Sequence, residues 1–271
     1  MLLQVSVIIS FYKRIDYLYL VLAGFIKQSR KNFELIIADD GSPKSMIENL
    51  LKDQRFSNLS IKHVWHEDKG FRKNKILNAS IQKAEGEYLI FIDGDCIPHP
   101  KFIEEHIENS KQKVVLTGRR VNLSEKFTNS LTFESVMKGA PENKILTLII
   151  DGIFGKSFDV EKGFYFKMKY LRSFFNKKKR GLLGCNFSLF KSDMLDINGF
   201  DERYEAPSIG EDSDVQFRLE FNDVKVKSLN NIAVQYHLYH NQQPRPKKNL
   251  LLFEQVQKEN SPFTQYGIVK Q

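Results

Sequence analysis

Two aspartates separated by one glycine, Asp93-Gly94-Asp95, stand at the end of the apolar run Leu89-Ile90-Phe91-Ile92. A carboxylate at the tip of a buried strand is costly unless something neutralises it. At positions i and i+2 of an extended chain the two acids point to the same side, and Gly94 lets a bulky ligand approach the backbone. Paired hard oxygen ligands at a sheet edge suit Mg2+ or Mn2+, and a divalent ion suits a diphosphate. The structural alternative is a helix N-cap with an acidic neighbour, helped by Pro98 and Pro100.

Four further groups carry chemistry. In "ADDGS", Asp40-Gly41 signals a βα turn in which Asp40 would cap a helix. The turn needs one acid only, which leaves Asp39 or Asp40 free to hydrogen-bond a base or a ribose. "GEDSD" places Glu211, Asp212 and Asp214 at the start of a helical run. First-turn acids offset the helix dipole, which explains Asp214 better than it explains three acids; a carboxylate in a cleft could take the proton of an attacking hydroxyl. In "YHLYH", His237 and His240 are three apart, so a strand would face them to opposite sides and bring at most one to a metal. "KGFRKNKILN" opens a helix with Arg72, Lys73 and Lys75, either a solvated basic face or a phosphate grip assisted by helix N-terminal amides.

Something must hold these groups together, and the pattern along the chain supplies it. "VSVIISFY", "FELIIAD", "LSIKHVW" and "EYLIFID" read as strands, alternating with helical "DYLYLVLAGFIKQS", "KSMIENLLKDQ" and "RKNKILNASIQKAEG". Strand–helix alternation with short connections predicts an α/β fold with a mostly parallel central sheet and helices on both faces. Ligands of such sheets bind outside the carboxyl ends of the strands. Three of those ends are polar here: Ser10 with Tyr12, Asp39 with Asp40, and Asp93 with Asp95.

The 271 residues suffice for one large domain with an extension, and 41% hydrophobic with 27% charged residues is ordinary for a chain that buries a core. A formal net charge of +8 suits polyanionic partners such as phosphorylated ligands, nucleic acid or an acidic membrane face. Cys96 and Cys185 form no zinc-type spacing and read as reduced, buried thiols. "MLLQVSVIIS" lacks the marks of a signal peptide, and no apolar run reaches bilayer-spanning length, so a cytoplasmic protein is expected. The regular pattern fails from about Val121 to Arg180, a stretch rich in Phe, Lys and Asn, and the polar tail after Pro244 is expected to pack loosely around a short helix at "NLLLFEQV".

The order "ISFYKR", "IIADDGS", "LIFIDGDC", "GCNFSLFKSDMLDINGFDERY", "GEDSDVQFRL" resembles the family 2 glycosyltransferases of GT-A fold, over roughly residues 4–118 and 181–240. The second half resembles the branch with a galactosyltransferase-type C-terminal region, which includes bacterial chondroitin-polymerase domains. The resemblance implies a nucleotide-sugar-binding half at 1–118, a variable insert at 119–180, an acceptor-binding and catalytic half at 181–243 and a tail at 244–271. It implies inverting transfer of a sugar from a nucleotide diphosphate, with uridine the favoured base, to a hydroxyl of a glycan or lipid-linked saccharide, as in bacterial capsule or lipopolysaccharide assembly. The donor would meet Ser10, Phe11, Tyr12, Arg14, Asp39, Asp40, Gly70, Arg72, Lys73, Asp93, Gly94 and Asn186. Mn2+ or Mg2+ would sit on Asp95, with Asp93 and with His237 in preference to His240. Asp212 would be the general base and Glu211 would bind sugar or acceptor hydroxyls. Relatives commonly carry "GWG" before "ED"; this chain has "APSIGED", with Ile209 in place of the aromatic residue.

Two other readings compete. "FIDGDCI" also fits a haloacid-dehalogenase-like, Mg2+-dependent phosphatase with an aspartate nucleophile, although that leaves "ADDGS" and "GCNFS" unexplained. "FYFKMKYLRSFFNKKKR" mixes aromatics and cations as a non-catalytic basic module for membrane or nucleic acid would, which keeps peripheral contact with an anionic membrane open. Nucleic acid is not the expected partner.

Overall fold

A computed structural model describes residues 3–177, 180–207, 211–241 and 247–270. The first half alternates β1 (Val5–Phe11), α1 (Ile15–Ile26), β2 (Glu34–Asp39), α2 (Lys44–Leu51), β3 (Ser60–Trp65), α3 (Lys73–Lys83) and β4 (Tyr88–Asp93). These four strands pair in parallel in the order β3-β2-β1-β4. The sheet continues through β8 (Asn186–Phe190), antiparallel to both β4 and β6 (Val114–Thr117), and ends on β9 (Lys225–Ser228). Four of its six pairings are parallel, as expected from the alternation.

Strands apolar on both sides need cover on both sides. Val7, Ile9, Leu35, Ile37, Ile90 and Ile92 face Leu18, Leu22 and Phe25 of α1, Ile47 and Leu50 of α2, and Phe102 and Ile103 of α4 (Phe102–Glu108). Ile8, Ile36, Leu89 and Phe91 face Ile76 and Ile81 of α3, Met194 of α9 (Lys191–Asp196) and Val215 and Leu219 of α10 (Glu211–Phe221). Register then aligns the strand tips: Ser10 lies beside Ala38 on one side and Asp93 on the other, and Phe11 beside Asp39.

A second sheet sits at that edge. In it β10 (Val234–His237) runs antiparallel to β5 (Cys96–Pro98) and parallel to β7 (Arg119–Asn122). The stretch without visible periodicity thus opens on a strand. It continues through short helices α5 (Glu125–Asn129), α6 (Phe133–Met137), α7 (Ile145–Phe154) and α8 (Lys169–Phe175). Five-residue helices carry too little periodicity to read, and caps mark them instead: Ser124 Oγ accepts from Phe127 N at 3.0 Å, and Thr132 with Ser135 forms a capping box. Arg172 of α8 clamps the nearly buried Glu105 of α4 through both carboxylate oxygens.

The tail corrects an expectation. After α11 (Lys247–Glu259) the chain does not pack loosely: Asn198, at φ +64°, donates to Thr264 O (2.7 Å) and Val269 O (2.9 Å) and accepts from Val269 N (2.8 Å). Thr264 Oγ1 adds a bond to Asp201 at 2.8 Å. A polar tail is held here by side chain-to-backbone bonds, which leave no hydrophobic pattern to read.

Candidate active site

At the carboxyl edge of the parallel strands a cleft has an outer lobe of about 750 Å³ and an inner lobe of about 480 Å³. Phe71, Lys73, Asp93, Asp95, Pro207 and His240 line both. The aspartate pair therefore sits where the two lobes meet.

Asp93 ends β4, and Oδ1 accepts from Ser10 Oγ at 2.5 Å and from Lys73 Nζ at 3.0 Å. Burial alone would lower the Lys73 pKa; the charges of Asp93 and Glu211 outweigh it, and the pKa is raised, so the ammonium stays charged. The chain then turns instead of remaining extended. Gly94 N donates to Ser10 O at 2.8 Å, and a Cβ on Gly94 would lie 2.9 Å from that oxygen, which is why the position takes glycine. The turn separates the two acids: Asp93 is held by Ser10 and Lys73, while Asp95 faces the end of β10.

There the expectation of a single histidine is corrected. Nε2 of His237 lies 3.5 Å and Nε2 of His240 3.3 Å from Asp95 Oδ2, and the two ring nitrogens are 3.2 Å apart. Strand geometry ends at His237; Leu238 N bonds Asp95 O at 2.8 Å, and beyond the strand His240 reaches the same carboxylate. His240 Nδ1 meets Asn241 O at 2.8 Å, so Nδ1 is the donor in that contact and Nε2 is the nitrogen turned toward the cluster. Burial would raise the Asp95 pKa, but the two imidazoles hold it well below the usual range. One carboxylate and two imidazoles with ligand atoms all within 4.8 Å of one another form a donor set that fits a divalent ion.

The outer lobe is lined by Phe11, Tyr12, Lys13, Arg14, Tyr17, Asp40 and Gly70, together with Ser10. The Arg14 guanidinium stacks 3.6 Å from the Tyr17 ring centre and pairs with Asp16. Tyr12 and Lys13 both bond Asp68 Oδ2, at 3.0 and 2.9 Å. The two acids of "DDGS" separate in role. Asp39 is fully buried, with Ser42 N at 2.8 Å and His63 Nε2 at 3.0 Å, and does not line the cleft. It is Asp39, not Asp40, that closes the turn. Asp40 lines the outer lobe, accepting from Arg72 N at 2.9 Å with His66 Nε2 at 2.6 Å. Burial raises its pKa.

Two other expected donor residues lie elsewhere. Arg72 turns its guanidinium to Glu67 O, so only its backbone serves the site. Asn186 is fully buried behind the cleft: Nδ2 donates to Arg119 O and Ala233 O, both at 3.0 Å, and Oδ1 faces His106 Nε2 at 3.2 Å. It ties the central sheet to the second sheet and does not line either lobe.

In the inner lobe, Glu211 and Asp212 enter from the first turn of α10. Asp212 accepts from Gly184 N at 3.3 Å and Ser213 N at 2.9 Å. Glu211 Oε2 is buried with no partner among the described residues, and burial, opposed by Lys73, raises its pKa. Asp214 instead turns inward onto Arg218 (2.5 Å) and is structural. The inner wall is completed by residues of the second sheet and its neighbours, including Arg120, Asn122 and the buried, free Cys185. Ile209 lies outside the described residues.

A mostly parallel sheet covered on both faces, with a cleft at its carboxyl edge lined by acidic and basic side chains, is the GT-A fold of the glycosyltransferases among its structural neighbours. The glycosyl transferase family 2 model matches residues 6–183, and the chain belongs to that family; a second model, described as the N-terminal domain of galactosyltransferase, matches residues 167–241. Chondroitin synthase of Escherichia coli is 26% identical over 252 residues, 90% of this chain and 35% of that protein. Protein CgeD of Bacillus subtilis is 28% identical over 132 residues, 43% of this chain and 31% of that one. This chain therefore spans about a third of the length of these curated relatives. Among solved structures, GalNAc-T7 with UDP, GalNAc and Mn2+ superposes with a TM-score of 0.64 at 14% identity, over 94% of this chain and 48% of that chain. S. aureus TarS 1-349 with UDP-GlcNAc gives 0.54 at 18% identity, over 95% and 65%. At such identities the likeness speaks to fold alone. Family membership leaves the phosphatase reading without support. No helix of the described residues is long and apolar enough to cross a membrane.

Proposed function

We propose that the protein is an inverting, metal-dependent glycosyltransferase that moves a hexosyl or N-acetylhexosaminyl group from a UDP-sugar to a hydroxyl of a glycan or lipid-linked saccharide. The observation that carries this reading is the Asp95–His237–His240 cluster at the junction of two lobes, with Glu211 and Asp212 in the inner one. The solved neighbours include complexes with UDP and Mn2+ and with UDP-GlcNAc, which supports a uridine donor and a divalent ion. Imidazole nitrogens beside a carboxylate favour Mn2+ over Mg2+, which prefers oxygen ligands.

On this reading the nucleoside occupies the outer lobe, against Phe11, Tyr12, Arg14 and Asp40. The diphosphate lies at the junction, where Lys73 supplies a fixed positive charge. An ion held by Asp95, His237 and His240 would supply further neutralisation of the departing diphosphate. Asp212 accepts the proton of the acceptor hydroxyl as it attacks the anomeric carbon, the C–O bond to the diphosphate breaks, and one displacement inverts the centre. Glu211 Oε2, without a partner among the described residues, accepts a sugar hydroxyl. The chondroitin synthase relative supports a polysaccharide as the product, and we place that product in the bacterial capsule or lipopolysaccharide.

Calorimetric titration of UDP, GDP and dTDP, with and without Mn2+, tests the reading, repeated on Asp95→Ala. Binding of UDP that needs both Mn2+ and Asp95 is expected; metal-independent or absent binding of all three would remove the proposal.

A further inference from the structure

The outward face of α7 is apolar without a partner among the described residues. Leu146, Ile150, Ile153 and Phe154 recur at helical spacing, and Ile153 is 67% and Phe154 85% exposed. Only Leu148 of this helix is buried. Its single acid, Asp151, is tied back to Ser157 Oγ. Exposed Lys144 precedes the helix and exposed Lys156 follows it, neither with an acidic partner among the described residues. Four residues past the helix, Phe158 is 56% exposed and exchanges two backbone hydrogen bonds with Asn122 at 3.0 Å each, and both residues line the inner lobe. The apolar stripe therefore runs to the mouth of the inner lobe.

We infer that this stripe is a docking surface for an anionic lipid bilayer. Apolar side chains between two lysines suit the interfacial region, where the chains enter the acyl boundary and the ammonium groups reach lipid phosphates. The net charge of +8 favours an anionic surface. The same charges oppose a second copy as the occupant, because an isologous contact through α7 would bring Lys144 and Lys156 toward their own duplicates. Docked this way, the mouth beside Phe158 faces the membrane, and an acceptor carried on a lipid could enter the inner lobe from the bilayer. That last clause rests on the transferase reading; the lipid contact does not.

Flotation of the full chain with phosphatidylcholine vesicles, with and without phosphatidylglycerol, tests the surface. The chain is expected to float with the anionic vesicles. Ile153→Ser combined with Phe154→Ser should weaken partition by about tenfold or more, and Lys144→Ser with Lys156→Ser should remove the preference for phosphatidylglycerol. Both variants should melt as the parent does and bind UDP with Mn2+ as it does. No flotation of the parent, or flotation unaltered by the apolar pair, overturns the proposal. So does light scattering that finds a dimer which the apolar pair returns to a monomer, since α7 would then be a contact between copies. Loss of nucleotide binding by the parent would count against the transferase reading alone.

Discussion

The first residue of α3, Lys73, donates to Oδ1 of Asp93 at 3.0 Å, the same oxygen that receives the Ser10 hydroxyl. The acid at the tip of β4 is thus neutralised from its own fold before any ligand arrives. Lys73→Met should leave Asp93 uncompensated in a largely buried setting and destabilise the protein by about 2 kcal/mol, less than a fully buried pair would cost. UDP affinity should fall as well. Urea melts and calorimetry measure the two effects; an unchanged UDP affinity would confine Lys73 to a structural role.

Both histidines face Asp95, so both should matter to metal uptake. His237→Ala and His240→Ala are each expected to weaken Mn2+ binding by about tenfold or more, and Asp95→Ala to remove it. Electron paramagnetic resonance of free Mn2+ reports this directly. If His240→Ala binds as the parent does, its approach to Asp95 has no role in the ligand set.

Asp212→Asn should lower kcat by about 10²–10⁴, the usual yield of a positioned base, while leaving Mn2+-dependent UDP binding intact. Glu211→Gln keeps the hydrogen-bonding shape and should act mainly on KM. Equal losses from both substitutions would contradict the division of roles.

Stability should depend on pH through His106. Burial depresses its pKa from 6.5 to about 3, and Asn186 only partly offsets this. Tyr88, Ser188, His106 and Asn186 form a buried chain that the neutral ring satisfies: Ser188 Oγ lies 2.7 Å from both Tyr88 OH and His106 Nδ1. Between the two values the unfolded chain binds the proton and the folded one does not. Stability is therefore fully present well above pH 6.5 and declines as pH falls toward 3, by about 2 kcal/mol on reaching roughly pH 5. Thermal melts from pH 7 down to about 5 check this, and His106→Asn should flatten the slope.

The parallel half of the fold was legible because each buried strand and amphipathic helix repeats an apolar spacing, and because acids at strand tips have few plain explanations. The placing of Asp93 and Asp95 at the edge of the sheet followed from that logic. Other parts depended on contacts between distant segments. His63 and His66, which hold Asp39 and Asp40, lie on and just after β3 and carry no local signal. Asn186 sits in a motif of the family resemblance, yet its amide is committed to carbonyls of segments 67 and 47 residues away. His240 lies beyond the end of β10, where strand periodicity no longer places a side chain. Arg120 and Asn122 reach the inner lobe because β7 pairs with β10, within a stretch whose short elements show no period.

The pairing of β10 with β5 sets an order of assembly. Cys96, next to Asp95, lies opposite His237, and more than half the chain separates them. Contacts across so long a separation form late, because closing the intervening loop costs entropy before any bond rewards it. A nascent or refolding chain can complete β1 to β4, with Ser10, Lys73 and Asp93 in place, while Asp95 still lacks both imidazoles. Capture of an ion by all three groups would therefore act as a clock for this late step of folding, silent until β10 has met β5.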